Sequence, residues 1–199
     1  MRRLICLVGL ISLLVACVAL EPVVSRTAAP DSASAYIAGD FSRDALFGFA
    51  FTIRDTVSGK EYSMALGEAR LVNVKTDTEV SMIKLPPGRY VIANWQRYSR
   101  LGAEKMGTFP IKFDSALAKP FNVEAKQIVY LGSFAVQTKR EGNGILMSIT
   151  PRHLTLQVAK SFFLESFPAF AEQAFECRLC VPPFLEPRLP EKKFSLNAT

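Results

Sequence analysis

Histidine and cysteine are scarce in this 199-residue chain, which contains one His and four Cys. A structural zinc site needs four ligands, mostly Cys and His, and a lone His among scattered carboxylates also weakens most hydrolase interpretations. No long apolar run follows the N-terminal one, which excludes a membrane protein with several spans. Apolar residues make up 49% of the chain, which excludes intrinsic disorder throughout. We therefore expect one globular domain with an appendage.

The N-terminus has the layout of a secretory signal. Arg2 and Arg3 precede an uncharged apolar run over residues 4–20. Near its end, Leu14-Val15-Ala16-Cys17 resembles the bacterial lipobox, which implies a signal peptide over residues 1–16 and lipidation of Cys17. Its thiol would carry a diacylglyceryl thioether, and such lipoproteins also carry fatty acyl groups such as palmitate. The alternative is an uncleaved anchor, since 17 apolar residues are at the lower limit of a spanning helix.

The residues after Cys17 indicate where the protein is located and how it is attached. The resemblance to Gram-negative lipoproteins implies that an Asp directly after the lipidated Cys would keep the protein in the inner membrane. Here Val18 occupies that position. The sequence thus favours the outer membrane, with the protein facing the periplasm. Residues 17–34 are rich in small and polar residues and predict a lipidated flexible tether.

Cys177 and Cys180 remain after processing and are separated by two residues. In an oxidising envelope, two nearby thiols are expected to form a structural disulfide. Free thiols and a redox or metal role are the alternatives. No β-α-β pattern surrounds the pair, as a thioredoxin-like site requires, and Val181 stands where a haem-attachment motif has His. We predict no cofactor and no metal.

From residue 35 onward, strand patterns follow one another without intervening helices. The clearest has apolar residues at alternate positions, a period that places them on one sheet face: Phe47, Phe49, Phe51 and Ile53. A hairpin is predicted around the turn at residues 141–144, joining a strand over 127–136 to one beginning at Ile145. About eight such strands predict an antiparallel, immunoglobulin-like or transthyretin-like β-sandwich over residues 35–150.

Two internal segments carry a family resemblance. Leu85-Pro-Pro-Gly-Arg-Tyr90 leads into a strand, and Pro87-Gly88 predicts a type II turn with positive φ at Gly88. Further on is Gln127-Ile-Val-Tyr-Leu-Gly132. Together they resemble bacterial envelope lipoproteins with a transthyretin-like or carboxypeptidase-regulatory-like sandwich, a group of unassigned function. The resemblance implies fold and location, and it brings no catalytic residues.

In the C-terminal part, apolar residues recur with a longer period than the period of two seen in the strands. Apolar residues recur at helical spacing and predict two short helices, over 155–166 and 168–177, within an appendage of residues 151–180. Their Phe-rich face is expected to pack on the domain, with a membrane or a partner as alternatives. Residues 181–199 contain several prolines and predict an extended tail.

Trp95, Arg97 and Tyr98, followed by Arg100, form the one cluster in the sequence that combines aromatic and basic residues. Such a cluster is a candidate contact for a ligand or protein partner, although strand alternation puts Tyr98 on the opposite face from the other two. An envelope location argues against nucleic acid. We therefore expect a lipid-anchored, non-catalytic protein with an interaction or assembly role. The alternatives are a binding module for envelope glycan or lipid and, more remotely, a small envelope enzyme.

Overall fold

Two packed β-sheets form the body of the protein in the computed structural model, which describes residues 20–44, 48–65, 78–98, 105–111, 116–141 and 144–182. Within these ranges the elements are β1 (Ala35–Asp44), β2 (Gly48–Asp55), β3 (Glu61–Ala65), β4 (Thr78–Leu85), β5 (Gly88–Tyr98), β6 (Lys105–Pro110), β7 (Phe121–Val123), β8 (Gln127–Glu141), β9 (Gly144–Arg152), α1 (Leu156–Ser166) and β10 (Ala174–Cys177). The described part of the chain is thus mainly β, with one α-helix near its C-terminal end, which confirms the predicted fold class.

The sheets are rich in antiparallel pairs. One sheet has the order β10-β8-β1-β4, with β9 also paired to β8, and the other has the order β3-β2-β5-β6, with β7 also paired to β5. The predicted hairpin is confirmed, because β8 and β9 pair antiparallel on either side of the turn. Two pairs, β1 with β8 and β10 with β8, are parallel, which strand patterns alone did not indicate.

The main core lies between the two sheets, and strand alternation explains its composition. Along β2, Phe49, Phe51 and Ile53 point inward and are at most 1% exposed. They pack with apolar residues of β1, β4, β5 and β8. Phe47, the remaining member of the predicted set, lies outside the described residues.

A second core covers the outer face of the sheet that contains β1 and β8. There Tyr36 and Tyr130 pack against three phenylalanines of the C-terminal part, Phe163, Phe167 and Phe170. Helix α1 begins where the Thr155 side chain accepts a hydrogen bond from the Val158 backbone N–H, an N-cap. The expectation that the Phe-rich face packs on its own domain is therefore confirmed.

The second predicted helix, over 168–177, was wrong. Residues Pro168–Phe170 form a single 3-10 turn, and Ala174–Cys177 form β10 beside β8. A helix of that length is marginal without tertiary support. Pairing with the free edge of β8 satisfies the backbone instead, and Phe175 still packs against the rings of Tyr130 and Phe163.

The predicted type II turn at Pro87-Gly88 was also wrong. Gly88 begins β5, and among the described glycines only Gly59 and Gly132 have a positive φ. The ring of Tyr90 lies against Gly88, where a Cβ would be 3.2 Å from it. The Tyr90 hydroxyl donates a 2.6 Å hydrogen bond to the carbonyl of Pro86, the pattern of a tyrosine corner. A side chain at position 88 would thus crowd the ring of Tyr90.

Residues 20–34, which were predicted to belong to a flexible tether, lie against the sandwich, and we call them the N-terminal strap. The Glu21 backbone N–H donates to the carbonyl of Ser63 on β3, at 2.9 Å. The Val24 N–H donates to the carbonyl of Met82 on β4, at 2.8 Å. These two strands are the neighbouring edges of the two sheets, so the strap crosses the seam between them. Backbone pairing and burial of apolar side chains outweigh the polar composition that suggested a free tether.

Candidate functional site

The predicted lipidation site, Cys17, and the signal peptide over residues 1–16 lie outside the described residues, as does most of the tail (residues 183–199). In the part of the chain that the structure describes, no helix is both long and apolar enough to cross a bilayer.

The structure does not bring Trp95, Arg97 and Tyr98 onto one surface. The Trp95 indole is half-buried at the margin of the main core and stacks on Phe109, with ring centroids 4.2 Å apart. Tyr98 packs on the opposite face of β5 with Ala50. The predicted contact patch is therefore split between the two faces of the sheet.

Cys177 and Cys180 form a disulfide in the structure, with their Cα atoms 5.5 Å apart. The bridge closes the turn that follows β10. Inside this turn, Leu179 packs against Gly132 of β8, and the Arg178 backbone N–H donates to the carbonyl of Tyr130 at 2.8 Å. The disulfide thus supports the docking of the C-terminal segment onto β8.

A β-bulge in β8 builds the most polar buried site of the described region. The pairing with β1 shifts so that Ala38 faces Tyr130 while Asp40 faces Ser133, which leaves one extra residue in β8. Gly132 occupies the bulge with φ +132°, a conformation that side-chain-bearing residues rarely adopt. The bulge therefore turns Tyr130 and Ser133 to the same side, toward Asp40.

The Asp40 carboxylate, which is completely buried, accepts three hydrogen bonds. The Tyr130 hydroxyl donates to Oδ1 at 2.5 Å, and the Ser133 hydroxyl and Arg152 Nη2 each donate to Oδ2 at 2.7 Å. Arg152 Nε also donates to Ser133 Oγ at 2.7 Å. We call these four residues the Asp40 cluster. It ties β1, β8 and the end of β9 together through side chains.

The charges and the burial of the Asp40 cluster favour a structural role for it over a catalytic one. Burial and the neighbouring Asp40 charge raise the pKa of Tyr130 well above its ordinary value of 10.0, so its hydroxyl stays a proton donor. The Arg152 charge offsets the buried carboxylate. Ser133 is 1% exposed, and its hydroxyl oxygen already contacts both Asp40 and Arg152. Among the described residues, no three His, Cys, Asp or Glu side chains are placed to hold a metal ion.

Sequence reasoning missed the Asp40 cluster because its members are distant in the chain. No motif around Asp40 or Arg152 marks either residue as part of a buried site. A signal was present in Gly132, since an isolated glycine inside an otherwise apolar strand is typical of a bulge.

A cleft of about 440 Å³ lies between the N-terminal strap and the edge of the sandwich. Its lining is mainly apolar, and Tyr36 is its one aromatic residue; the lining residues are Glu21, Pro22, Val23, Val24, Ser25, Ala28, Ala29, Asp31, Tyr36 and Lys84. At the rim, the Lys84 ammonium lies 3.6 Å from the Asp31 carboxylate. The Tyr36 hydroxyl accepts a 2.6 Å hydrogen bond from the Asp31 backbone N–H.

The carboxylate at the rim of the cleft is held in its charged form. Hydrogen bonds from the Ala33 backbone N–H and the Ser34 hydroxyl lower the pKa of Asp31 below its ordinary value of 3.8, and Lys84 adds to this effect. The cleft therefore combines an apolar interior with an ion pair at its opening.

Comparisons with known proteins are uninformative about function. No protein family and no curated protein matches the chain. Among solved structures, part of it is similar to a leucine-rich repeat protein from Bacteroides thetaiotaomicron, with 14% identity and a TM-score of 0.36. That similarity covers 53% of this chain and 12% of the other. So weak a similarity supports no argument about fold or function.

Proposed function

We propose that the chain is a lipid-anchored protein of the bacterial cell envelope whose β-sandwich has a non-catalytic interaction or assembly role. The observation that carries the proposal is the lipobox-like Leu14-Val15-Ala16-Cys17, placed where a signal peptide would be cleaved. The strap that begins at Leu20 supports it, because it connects this site directly to a folded domain. Val18 after the Cys favours the outer membrane, facing the periplasm.

Two features support the proposed interaction role: an unpaired strand edge and the confinement that a lipid anchor would impose. Among the described residues, β6 pairs only with β5, so one edge of this strand is free to accept a strand from a partner. Confinement at a membrane raises the local concentration of the domain near other envelope proteins. The buried polar groups of the Asp40 cluster bind one another, which agrees with a structural role for them.

Membrane fractionation and crosslinking test this proposal. The native chain should fractionate with the outer membrane, and Cys17→Ala should release it or stop its processing. Crosslinking of intact envelopes should recover a defined partner with the native chain. Substitution of the exposed Thr108 on β6 by Pro should reduce that recovery. The matched control is Thr150→Pro, at an exposed position of β9, which among the described strands also pairs with one neighbour only. Equal recovery with both variants would argue against the β6 edge.

The cleft favours a second candidate function, the binding of an acyl chain. Its volume falls within the range of small-molecule sites, and its lining is mainly apolar. A single aromatic residue suits a hydrocarbon chain better than a glycan. A fluorescent fatty acid should bind the native chain, and Ala28→Trp, which narrows the cleft, should weaken binding by at least tenfold. Unchanged affinity in this variant would exclude the cleft.

A further inference from the structure

We infer that the N-terminal strap holds the sandwich in one orientation at the membrane, with the edge formed by β3 and β4 toward the bilayer. The inference rests on the proposed lipidation of Cys17. It differs from the sequence prediction, in which a tether over residues 17–34 would leave the domain free to rotate and to stand away from the lipid.

The strap is attached to both sheets. Leu20 forms a parallel bridge with Ser63 on β3, and Val23 forms an antiparallel bridge with Ile83 on β4. The two edge strands are themselves joined there, since the Ser81 hydroxyl donates to the carbonyl of Ala65 at 2.8 Å. The strap is thus continuous with the seam of the sandwich.

Apolar side chains hold the strap on both outer faces. Leu20 packs with Ala50 and Tyr98 on the outer face of one sheet. Val24 packs on the outer face of the other, with the cluster that contains Tyr36. Because its contacts lie on both sides of the seam, the strap cannot rotate about a single bond without breaking them.

The strap begins a short distance from the proposed lipid anchor at Cys17. Three residue steps separate Cys17 from Leu20, and three extended residues span at most about 11 Å. A flexible tether of 17 residues would instead have a root-mean-square length of roughly 20–25 Å. The seam is therefore kept close to the lipid, and the domain cannot turn its other side toward the membrane.

In this orientation, the side of the sandwich opposite the seam lies farther from the bilayer than the seam does. Three strand spacings separate β3 from β6 in their sheet, which amounts to about 14 Å. Thr108, on β6, is exposed there, and Arg26 is exposed on the strap. Labels at these two positions should therefore differ in their distance from the bilayer.

Energy transfer in vesicles tests the inference. The full lipidated chain is reconstituted with an acceptor dye on the lipid headgroups, and a donor is placed on Arg26→Cys or on Thr108→Cys without reductant, so that the Cys177–Cys180 disulfide is not labelled. We expect clearly more transfer from the strap position. As a matched control, inserting 20 Gly/Ser residues before Leu20 lengthens the anchor by roughly 25 Å and should reduce the difference to near zero.

The outcomes separate the two proposals. Equal transfer from both positions in a vesicle-bound chain without the insertion would overturn the fixed orientation and leave lipidation intact. More transfer from position 108 would likewise overturn it. A chain that does not float with vesicles, and has an unmodified Cys17, would refute the proposed lipidation and this inference with it.

Discussion

Removal of the Arg152 guanidinium should destabilise the sandwich strongly, although this residue is at the surface end of β9. Arg152→Met keeps an apolar stem of similar length and removes the charge. The substitution takes two hydrogen bonds from the Asp40 cluster, one to the Asp40 carboxylate and one to Ser133 Oγ. The Asp40 carboxyl, which is completely buried in the native structure, then has only the two hydroxyls of Tyr130 and Ser133 as partners.

The structure sets the size of this effect. Breaking a buried ion pair by removing one partner costs about 3–5 kcal/mol. The Arg152 side chain is 37% exposed, so water can partly replace it, and the lower end applies. Two lost hydrogen bonds, at about 1.5–3 kcal/mol for those that involve charged groups, give a similar value. We therefore expect a loss of about 3 kcal/mol, which lowers Tm by roughly 6–12 °C for a chain of this size.

Urea unfolding followed by circular dichroism measures this loss. The matched control is Arg54→Met, which breaks an ion pair with Glu61 whose side chains are about half exposed. Surface pairs of this kind are worth about 0–1 kcal/mol. If Arg152→Met is no more than 1 kcal/mol less stable than the control, the Asp40 cluster does not stabilise the fold as argued.

A double substitution separates charge compensation from packing. Adding Asp40→Asn to Arg152→Met removes the charge that the first substitution leaves unpaired. The two losses should therefore not add, and the double variant should be at least about 1 kcal/mol more stable than their sum predicts. Strict additivity would show that the carboxylate and guanidinium act independently.

Three further predictions concern other parts of the fold. Burial raises the pKa of Tyr90 from 10.0 to about 12, so the folded state holds this proton more tightly than the unfolded state does. The resulting contribution to stability is complete below pH 10 and is lost as the pH rises toward 12. Tyr90→Phe should therefore flatten the fall in unfolding free energy between pH 10 and 12, and an unchanged slope would contradict this. Replacing Cys177 and Cys180 by Ser should lower unfolding stability by about 2 kcal/mol, the value expected for so short a loop, and no change would show that the bridge is dispensable. Gly132→Ala should lower the free energy of unfolding by at least about 2 kcal/mol, because the φ at this position is strained for alanine and the new Cβ would lie 2.9 Å from the Cβ of Leu179. The control Gly59→Ala, also at positive φ but in open space, should lower it by less.

The strand framework was predictable because it depends on local alternation. The Phe49, Phe51 and Ile53 pattern identified an inward face, and the residues around the 141–144 turn identified the β8–β9 hairpin. The parallel pairs could not be predicted, since pairing partners are chosen by tertiary packing and not by the pattern of one strand. For the same reason, helical spacing over residues 168–177 did not show that the free edge of β8 would draw residues 174–177 into the sheet.

The candidate sites were less predictable than the strands. Asp40 has no sequence neighbour that reveals its burial, and its partners are 90 to 112 residues away along the chain. Gly132 was the one local sign of the bulge that assembles them. The strap was missed because composition does not report the backbone pairing of Glu21 and Val24 with the edge strands.

Intact-mass analysis of the protein purified from envelopes of its native host tests the central claim most directly. The account predicts a chain that begins at Cys17 and carries the added mass of a diacylglyceryl group and fatty acyl groups, with residues 1–16 removed. Recovery of a chain that retains Met1, or that has an unmodified Cys17, would contradict it.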